Sequence, residues 1–210
     1  MFTPRKLLVQ IQYYLEFIRM IQNNLIFFNF SNYLIKLFPG ILSIDSFFKN
    51  EIIITISSVL IKEFLYFLKN HTNCQYKLLS DICAVDFLKK TSRFEIVYNI
   101  LSIRYNTKLR IKTIVNELTP INTITSIFSC ANWWEREIWD LFGIFFSKHP
   151  DLRRILTDYG FDGHPFRKDF PLSGFVELRY DENQKCIICE PLMLPQKYRF
   201  YNFDNALKIL

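Results

Sequence analysis

RFEIVYNILSIRYNTKLRIKTIV, residues Arg93 to Val115, reads as two strands joined by a turn. β-Branched and aromatic side chains crowd Arg93 to Ile103 and again Leu109 to Val115, and such side chains fit a pleated surface. The residues between, Arg104-Tyr105-Asn106-Thr107-Lys108, make a short polar turn. Side chains alternate along a strand, so Ile96, Tyr98 and Ile100 share one face and Val97, Leu101 and Ile103 the other. Apolar residues on both faces predict a central strand with helices covering the sheet.

A third strand near Tyr76 to Val85 precedes these two and completes an antiparallel meander. Further out, Glu51 to Ile56 is a β-branched run ending at Ser57-Ser58. Leu60, Ile61, Phe64, Leu65 and Leu68 follow at helical spacing, with Lys62, Glu63 and Lys69 off that stripe. This predicts a strand and then an amphipathic helix. Leu7 to Phe28 predicts another helix, with Phe38-Pro39-Gly40 as its stop.

The character changes after residue 150. Five of the eight prolines fall in the last 61 residues, where only Phe175 to Tyr180 and Lys185 to Cys189 read as short strands. Phe161, Phe166, Phe170, Phe175, Tyr198, Phe200, Tyr201 and Phe203 are too many aromatics for a disordered segment, so the tail is expected to lie across a partner. The expected fold class is α+β: a small, mostly antiparallel sheet covered by helices, followed by a long irregular C-terminal extension. The expected divisions are an N-terminal helical extension over 1–50, a sandwich core over 51–150 and a partner-wrapping tail over 151–210.

The chain of 210 residues is half hydrophobic, enough for one domain with a core. With 22 Phe, 11 Tyr and only 5 Gly, it favours residues with A/T-rich codons, which points to an A/T-biased genome such as an organelle's. Residues 1–130 carry 15 basic and 8 acidic side chains, and 131–210 carry 11 and 12, so the net charge of +6 lies in the first part. That surface suits nucleic acid, anionic lipid or an acidic protein, and charge alone does not choose. Five scattered cysteines lack the density of a disulfide-stapled domain, so a reducing compartment is expected. No import signal is evident at the N-terminus, and no apolar run is long enough to span a membrane.

The densest chemistry lies in EREIWDLFGIFFSKHPDLRRIL, Glu135 to Leu156, and DGHPFRKDFP, Asp162 to Pro171. Asn132 is positioned as an N-cap with Glu135 completing a capping box, and Gly143 as the C-terminal stop, predicting a helix from Trp133 to Phe142. Trp134, Ile138, Leu141 and Phe142 form its buried stripe. Arg136 lies one turn before Asp140, within ion-pair reach. Glu135 and Glu137, suited to the helix dipole, point about 200° apart and so do not share one substrate atom. A structural or interface role is favoured over catalysis.

His149, His164, Cys186 and Cys189 are the best metal-ligand set, but one CxxC with isolated histidines falls short of two tight ligand pairs. Cys186 and Cys189 are expected to be packed thiols facing opposite sides of a strand. Arg167 and Lys168 lack a Gly-rich turn opening a helix, so nucleotide binding is not expected. DGHPFRKDFP reads instead as a rigid loop in which Arg167, Lys168 and Asp169 pair with charges across an interface.

These stretches resemble the thirty-kilodalton subunit family of respiratory complex I, NADH:ubiquinone oxidoreductase, of the mitochondrially encoded subunit-nine type. That family's signature is E-R-E, an acid after two residues, two apolar or aromatic residues, then His or Lys, a basic residue or Pro, and two aliphatic positions at set spacings. Glu135, Arg136, Glu137, Asp140, Leu141, Phe142, His149, Arg153, Ile155 and Leu156 fill it in order. ANWWERE from Ala131, GHPFRKDFP from Gly163 and FEIVYNILS from Phe94 look like the flanking blocks and the sheet.

The resemblance implies a core subunit of the hydrophilic arm on the matrix side of the inner mitochondrial membrane. It implies no active site, flavin, iron–sulfur cluster or quinone ligand in this chain, these lying on neighbours, and other complex I subunits as partners, chiefly the forty-nine-kilodalton one. By that likeness Glu135, Arg136, Glu137, Asp140, His149, Arg153, Arg154, His164, Arg167, Lys168 and Asp169 are assigned to the partner interface, supporting assembly of the quinone-reducing module. The rival reading is a basic organellar nucleic-acid-binding or ribosomal protein, motivated by the basic first part. Its basic residues are scattered, and no RNA-binding sheet motif is present.

Overall fold

The computed structural model describes residues 29–38, 40–48 and 51–193. The helix expected over Leu7 to Phe28, and the tail beyond residue 193, lie outside them. The chain divides into two compact units, Met1–Asp169 and Phe170–Leu210.

In the first unit, helical residues 29–37 (α1) lead into β1 (Ile41–Phe48) and β2 (Glu51–Ile56), then α2 (Ile61–Asn70). The meander follows as β3 (Leu78–Asp86), β4 (Phe94–Ser102) and β5 (Thr107–Val115). The sheet order is β1-β2-β5-β4-β3. β3–β4 and β4–β5 are antiparallel, as the sequence predicts, whereas β2 joins β5 in parallel, Ile52 opposite Leu109. A parallel neighbour needs a long crossover, and residues 57–106, containing α2 and two meander strands, supply it. Strand β1, to which the sequence reading gave no element, pairs antiparallel with β2 at the sheet's edge.

Ile52, Ile54 and Ile56 of β2, Phe94, Ile96, Tyr98 and Ile100 of β4, and Leu109, Ile111 and Val115 of β5 bury one sheet face. Ile61, Phe64, Leu65 and Leu68 of α2 fall in the same apolar cluster, so the predicted helical stripe is the buried one. Each fully buried Ile, Leu or Phe contributes about 2 kcal/mol of transfer free energy. Leu34 of α1 joins the cluster, and Phe38 meets Phe64 with ring centroids 5.1 Å apart.

The expectation that β4 is covered on both faces is corrected. Its alternate residues Glu95, Val97, Asn99 and Leu101 are only half-buried. That face carries a polar ladder: Lys112 pairs with Glu95 at 2.9 Å, and Arg110 bonds both Glu51 (2.9 Å) and Asn99 (3.1 Å). A ladder of fixed charges tolerates water, which an apolar face does not.

After β5 the chain forms β6 (Ile121–Asn122), α3 (Ala131–Phe142) and β7 (Phe146–Ser147), the two short strands pairing in parallel. In the second unit β8 (Val176–Asp181) and β9 (Cys186–Pro191) form an antiparallel hairpin close to the two expected strands. Cys186 and Cys189 are both exposed, so the expectation of packed thiols is overturned: a two-stranded hairpin has no second layer to bury them.

Candidate assembly site at the charged helix

α3 ends as its sequence dictates. Gly143 takes the left-handed conformation at φ 77°, and its amide donates to the Trp139 carbonyl at 2.9 Å. Its start departs from expectation. The helix opens at Ala131 after Cys130, with no side-chain cap, because a run of turns from Ile124 to Ser129 feeds directly into it. Asn132 therefore lies inside the helix, and Glu135 is too far along to close a capping box or sit in the first turn.

Ile138, Leu141 and Phe142 are buried and Trp134 packs partly against the core, in line with the predicted stripe. Glu135, Arg136 and Asp140 are buried too, which periodicity did not reveal. The expected Arg136–Asp140 pair does not form. Arg136 donates instead to the carbonyls of Arg153 (3.1 Å) and Arg154 (3.5 Å) and stacks over Trp133. Its guanidinium satisfies chain that has no ladder of its own.

Asp140 is the hub. Its Oδ2 accepts the amides of Ile155 (3.2 Å), Leu156 (2.8 Å) and Thr157 (2.9 Å), and its Oδ1 accepts the Thr157 hydroxyl (2.6 Å) and Arg154 (3.2 Å). Burial alone raises a carboxyl's pKa, but the bonds from Thr157, Leu156 and Ile155 outweigh it and hold Asp140 below the usual carboxylate range. One carboxylate thus organises the basic stretch after the helix.

The second motif caps the C-terminal end of the same helix. Three carbonyls near the C-terminus each find a donor: Asp140 O from His164 Nδ1 (2.9 Å), Leu141 O from the Phe166 amide (3.0 Å) and Phe142 O from Arg167 Nε (2.7 Å). Burial, with Arg167 and Arg154 nearby, lowers the His164 pKa and keeps the ring neutral. Arg167 also pairs with Glu117. The loop then reaches the sheet, where the Lys168 amide donates to Asp86 at 2.8 Å. Arg93 grips Asp86 at 2.7 Å and Asp169 at 2.6 Å. The Arg93 hydrogen bonds are the main cause that holds both carboxyls low.

Of the eleven assigned residues, the structure brings the side chains of Glu135, Arg136, Asp140, His149, Arg154, His164, Arg167 and Asp169, and the backbone amide of Lys168, into contacts between separate parts of the chain. Glu137 is half-buried, and its charge is felt at Cys83 of β3. Arg153 bonds Asp151 at the surface, while Lys168 and Asp169 are exposed. Sequence reading missed Asp86, Arg93, Glu117, Thr123 and Thr157. These partners lie up to 82 residues from the atoms they bind, and no local pattern marks them. Around the buried charges Trp133, Phe145, Leu156, Tyr159 and Phe166 remain exposed.

Among the described residues no group of three or more His, Cys, Asp and Glu is placed to hold a metal ion, and no helix is long and apolar enough to cross a membrane.

Comparison with known proteins places this geometry. The chain is 55% identical over 172 residues to NADH-ubiquinone oxidoreductase subunit 9 of Reclinomonas americana, covering 82% of this chain and 84% of that protein. It is 49% identical over 178 residues to NADH dehydrogenase [ubiquinone] iron-sulfur protein 3, mitochondrial, of Candida albicans, covering 85% of this chain and 64% of that one. The fold is shared with a chain in the structure of the membrane-bound sulfane sulfur reductase, an archaeal respiratory membrane complex. There the TM-score is 0.59 at 23% identity, over 69% of this chain and 85% of the other. Residues 54–176 match the family described as respiratory-chain NADH dehydrogenase, 30 Kd subunit, and the chain belongs to that family as a core subunit of respiratory complex I.

Proposed function

We propose that this chain is a non-catalytic subunit of the matrix arm of mitochondrial, proton-pumping NADH:ubiquinone oxidoreductase, encoded in the mitochondrial genome. It holds the quinone-reducing module together while neighbouring subunits carry flavin, iron–sulfur clusters and ubiquinone. Its chief partner is the forty-nine-kilodalton subunit.

One observation carries the docking role. In the β8–β9 hairpin the register sets Val176 opposite Pro191, Leu178 opposite Cys189 and Tyr180 opposite Ile187, all on one face. Val176, Leu178, Tyr180 and Ile187 are each more than half exposed. The opposite face carries Glu177, Glu190 and Arg179, with Arg179 and Glu190 paired at 2.7 Å. A hairpin this amphipathic leaves its apolar side in water unless a partner covers it. In the first unit Glu135, Arg136 and Asp140 of α3 are engaged internally, which makes the helix and its loops a rigid platform, and the exposed aromatic and aliphatic residues around them supply contact area.

Arg110 and Lys112 of β5 are engaged in the Glu51 and Glu95 pairs, which draws those two charges away from a nucleic-acid surface. The test is a photo-crosslinking residue at Leu178 in the assembled enzyme, read on native gels stained for NADH dehydrogenase activity. The expected product joins this chain to the forty-nine-kilodalton subunit. Migration with ribosomes, or no crosslink from an assembled complex, overturns the assignment.

A further inference from the structure

Glu135 is fully buried where the β6 loop meets α3, and its partners there are neutral donors. Its Oε1 accepts the Ile124 amide at 2.8 Å and its Oε2 the Thr123 hydroxyl at 2.5 Å. His149 Nε2 lies 3.8 Å from Oε2, and that side chain has no exposed surface either. The Asp151 amide donates to the imidazole Nδ1 at 3.1 Å, and Nε2 lies 3.3 Å from the Asn132 carbonyl.

The threonines give both states of Glu135 a full set of bonds. Thr123 Oγ1 lies 3.0 Å from Thr125 Oγ1, and either oxygen has the geometry to donate. With Glu135 charged, Thr123 donates to Oε2. With Glu135 protonated, Oε2–H donates to Thr123, whose hydroxyl turns to Thr125. Thr125 is only half-buried and Ser126 beyond it is exposed. Thr123 also lines a cavity of about 200 Å³ together with Val59, Lys62, Glu63, Asn122 and Lys148.

We propose that Glu135 is a proton-binding site that exchanges with solvent through the Thr123–Thr125 hydroxyl pair and makes the joint between the β6 loop and α3 sensitive to pH. The charged and titratable groups that face it are His149 from the loop after β7 and Tyr98 from β4. Lys62 and Glu63 of α2 and Lys148 line the cavity that Thr123 shares, and Arg136 of α3 itself is turned to the 153–154 carbonyls. Burial lifts the Glu135 carboxyl from 4.5 to about 7, against the pull of the Thr123 and Ile124 bonds. Since the folded value is the higher one, the folded state holds a proton that the unfolded state has lost between those limits. This stabilisation is full below 4.5 and is lost as pH rises through about 7.

The test is infrared titration of the full chain. Wild type is expected to show a protonated carboxyl band that fades with a midpoint of about 7 and is missing in Glu135→Gln. Thr123→Val removes the donor to the charged form and is expected to raise the midpoint. Thr125→Val removes the acceptor used with the neutral form and is expected to lower it. If Glu135→Gln does not fold, the two threonine variants decide the matter with the carboxyl intact. In urea, the wild-type unfolding constant is expected to rise relative to Glu135→Gln by up to about tenfold per pH unit across that window. Absence of the band near neutrality, or midpoints that move together or not at all, overturns the proposal.

Discussion

Asp140 and Thr157 are joined twice, the threonine hydroxyl meeting Oδ1 at 2.6 Å and its amide meeting Oδ2 at 2.9 Å. This closes a ring between a helix and the chain seventeen residues later. Asp140→Asn keeps the shape but replaces one acceptor with a donor facing donors. It is expected to cost about 2–3 kcal/mol in urea unfolding at neutral pH, and Thr157→Val about 1 kcal/mol. Equal costs would mean that the hydroxyl, not the carboxylate, organises the loop.

Acid should reach the same site. Asp140 and Asp86 both have pKa values lowered from 3.8, so their stabilisation is present above 3.8 and is lost as pH falls through the folded values. Unfolding curves below about pH 4 are expected to flatten in the double variant Asp86→Asn/Asp140→Asn relative to wild type.

Gly143 tolerates no side chain. Its φ is 77°, and an added Cβ meets the His164 ring at 2.6 Å and Arg167 at 2.7 Å. Gly143→Ala is expected to destabilise by about 1–2 kcal/mol and to free the 162–169 loop, seen as faster proteolysis there. Unchanged cleavage would show that the loop is held from the Arg93 side alone.

Arg93 spans Asp86 and Asp169, a task that needs a fork. Arg93→Lys keeps the charge and loses the second grip, so it is expected to loosen Asp169 and retain Asp86. NMR titration of the Asp169 carboxyl reads this directly: its pKa, which the Arg93 bond holds low, is expected to rise, and a value equal to wild type would contradict it.

Arg136→Glu and Arg167→Glu each set a carboxylate against backbone carbonyls. Both are expected to lower the amount of assembled complex on native gels before quinone kinetics change. Normal abundance with a specific loss of quinone affinity would count against the assembly role.

Thiol labelling separates the hairpin's faces. Cys189 shares the Leu178 side and Cys186 the Arg179 side, and both are exposed in the chain. In the assembled enzyme Cys189 is expected to become protected while Cys186 still reacts. The reverse pattern would put the partner on the charged face.

The sheet was legible where its cause is local. β4, β5 and α2 follow from alternation and helical spacing, and Gly143 from its place after the last apolar residue. What eluded the sequence is long-range. The parallel β2–β5 pairing joins residues 57 apart at Ile52 and Leu109, and nothing in EIIITI distinguishes a parallel from an antiparallel neighbour. The ERE signature was readable as charged, but charge at a surface and charge in a core look alike in one dimension. Arg136 and Asp140, at ion-pair spacing, took other partners because each found bare backbone nearby that offered more bonds.

The parallel pairing also sets an order of events at the ribosome. β2 is made first and carries Ile52, Ile54 and Ile56, yet one of its edges has no partner until β5 has emerged. Through the synthesis of residues 57–106 the nascent chain presents an open apolar strand edge, a template for wrong pairing. A chain halted before Thr107 leaves that edge of β2 open, and one completed through Val115 has covered it with β5.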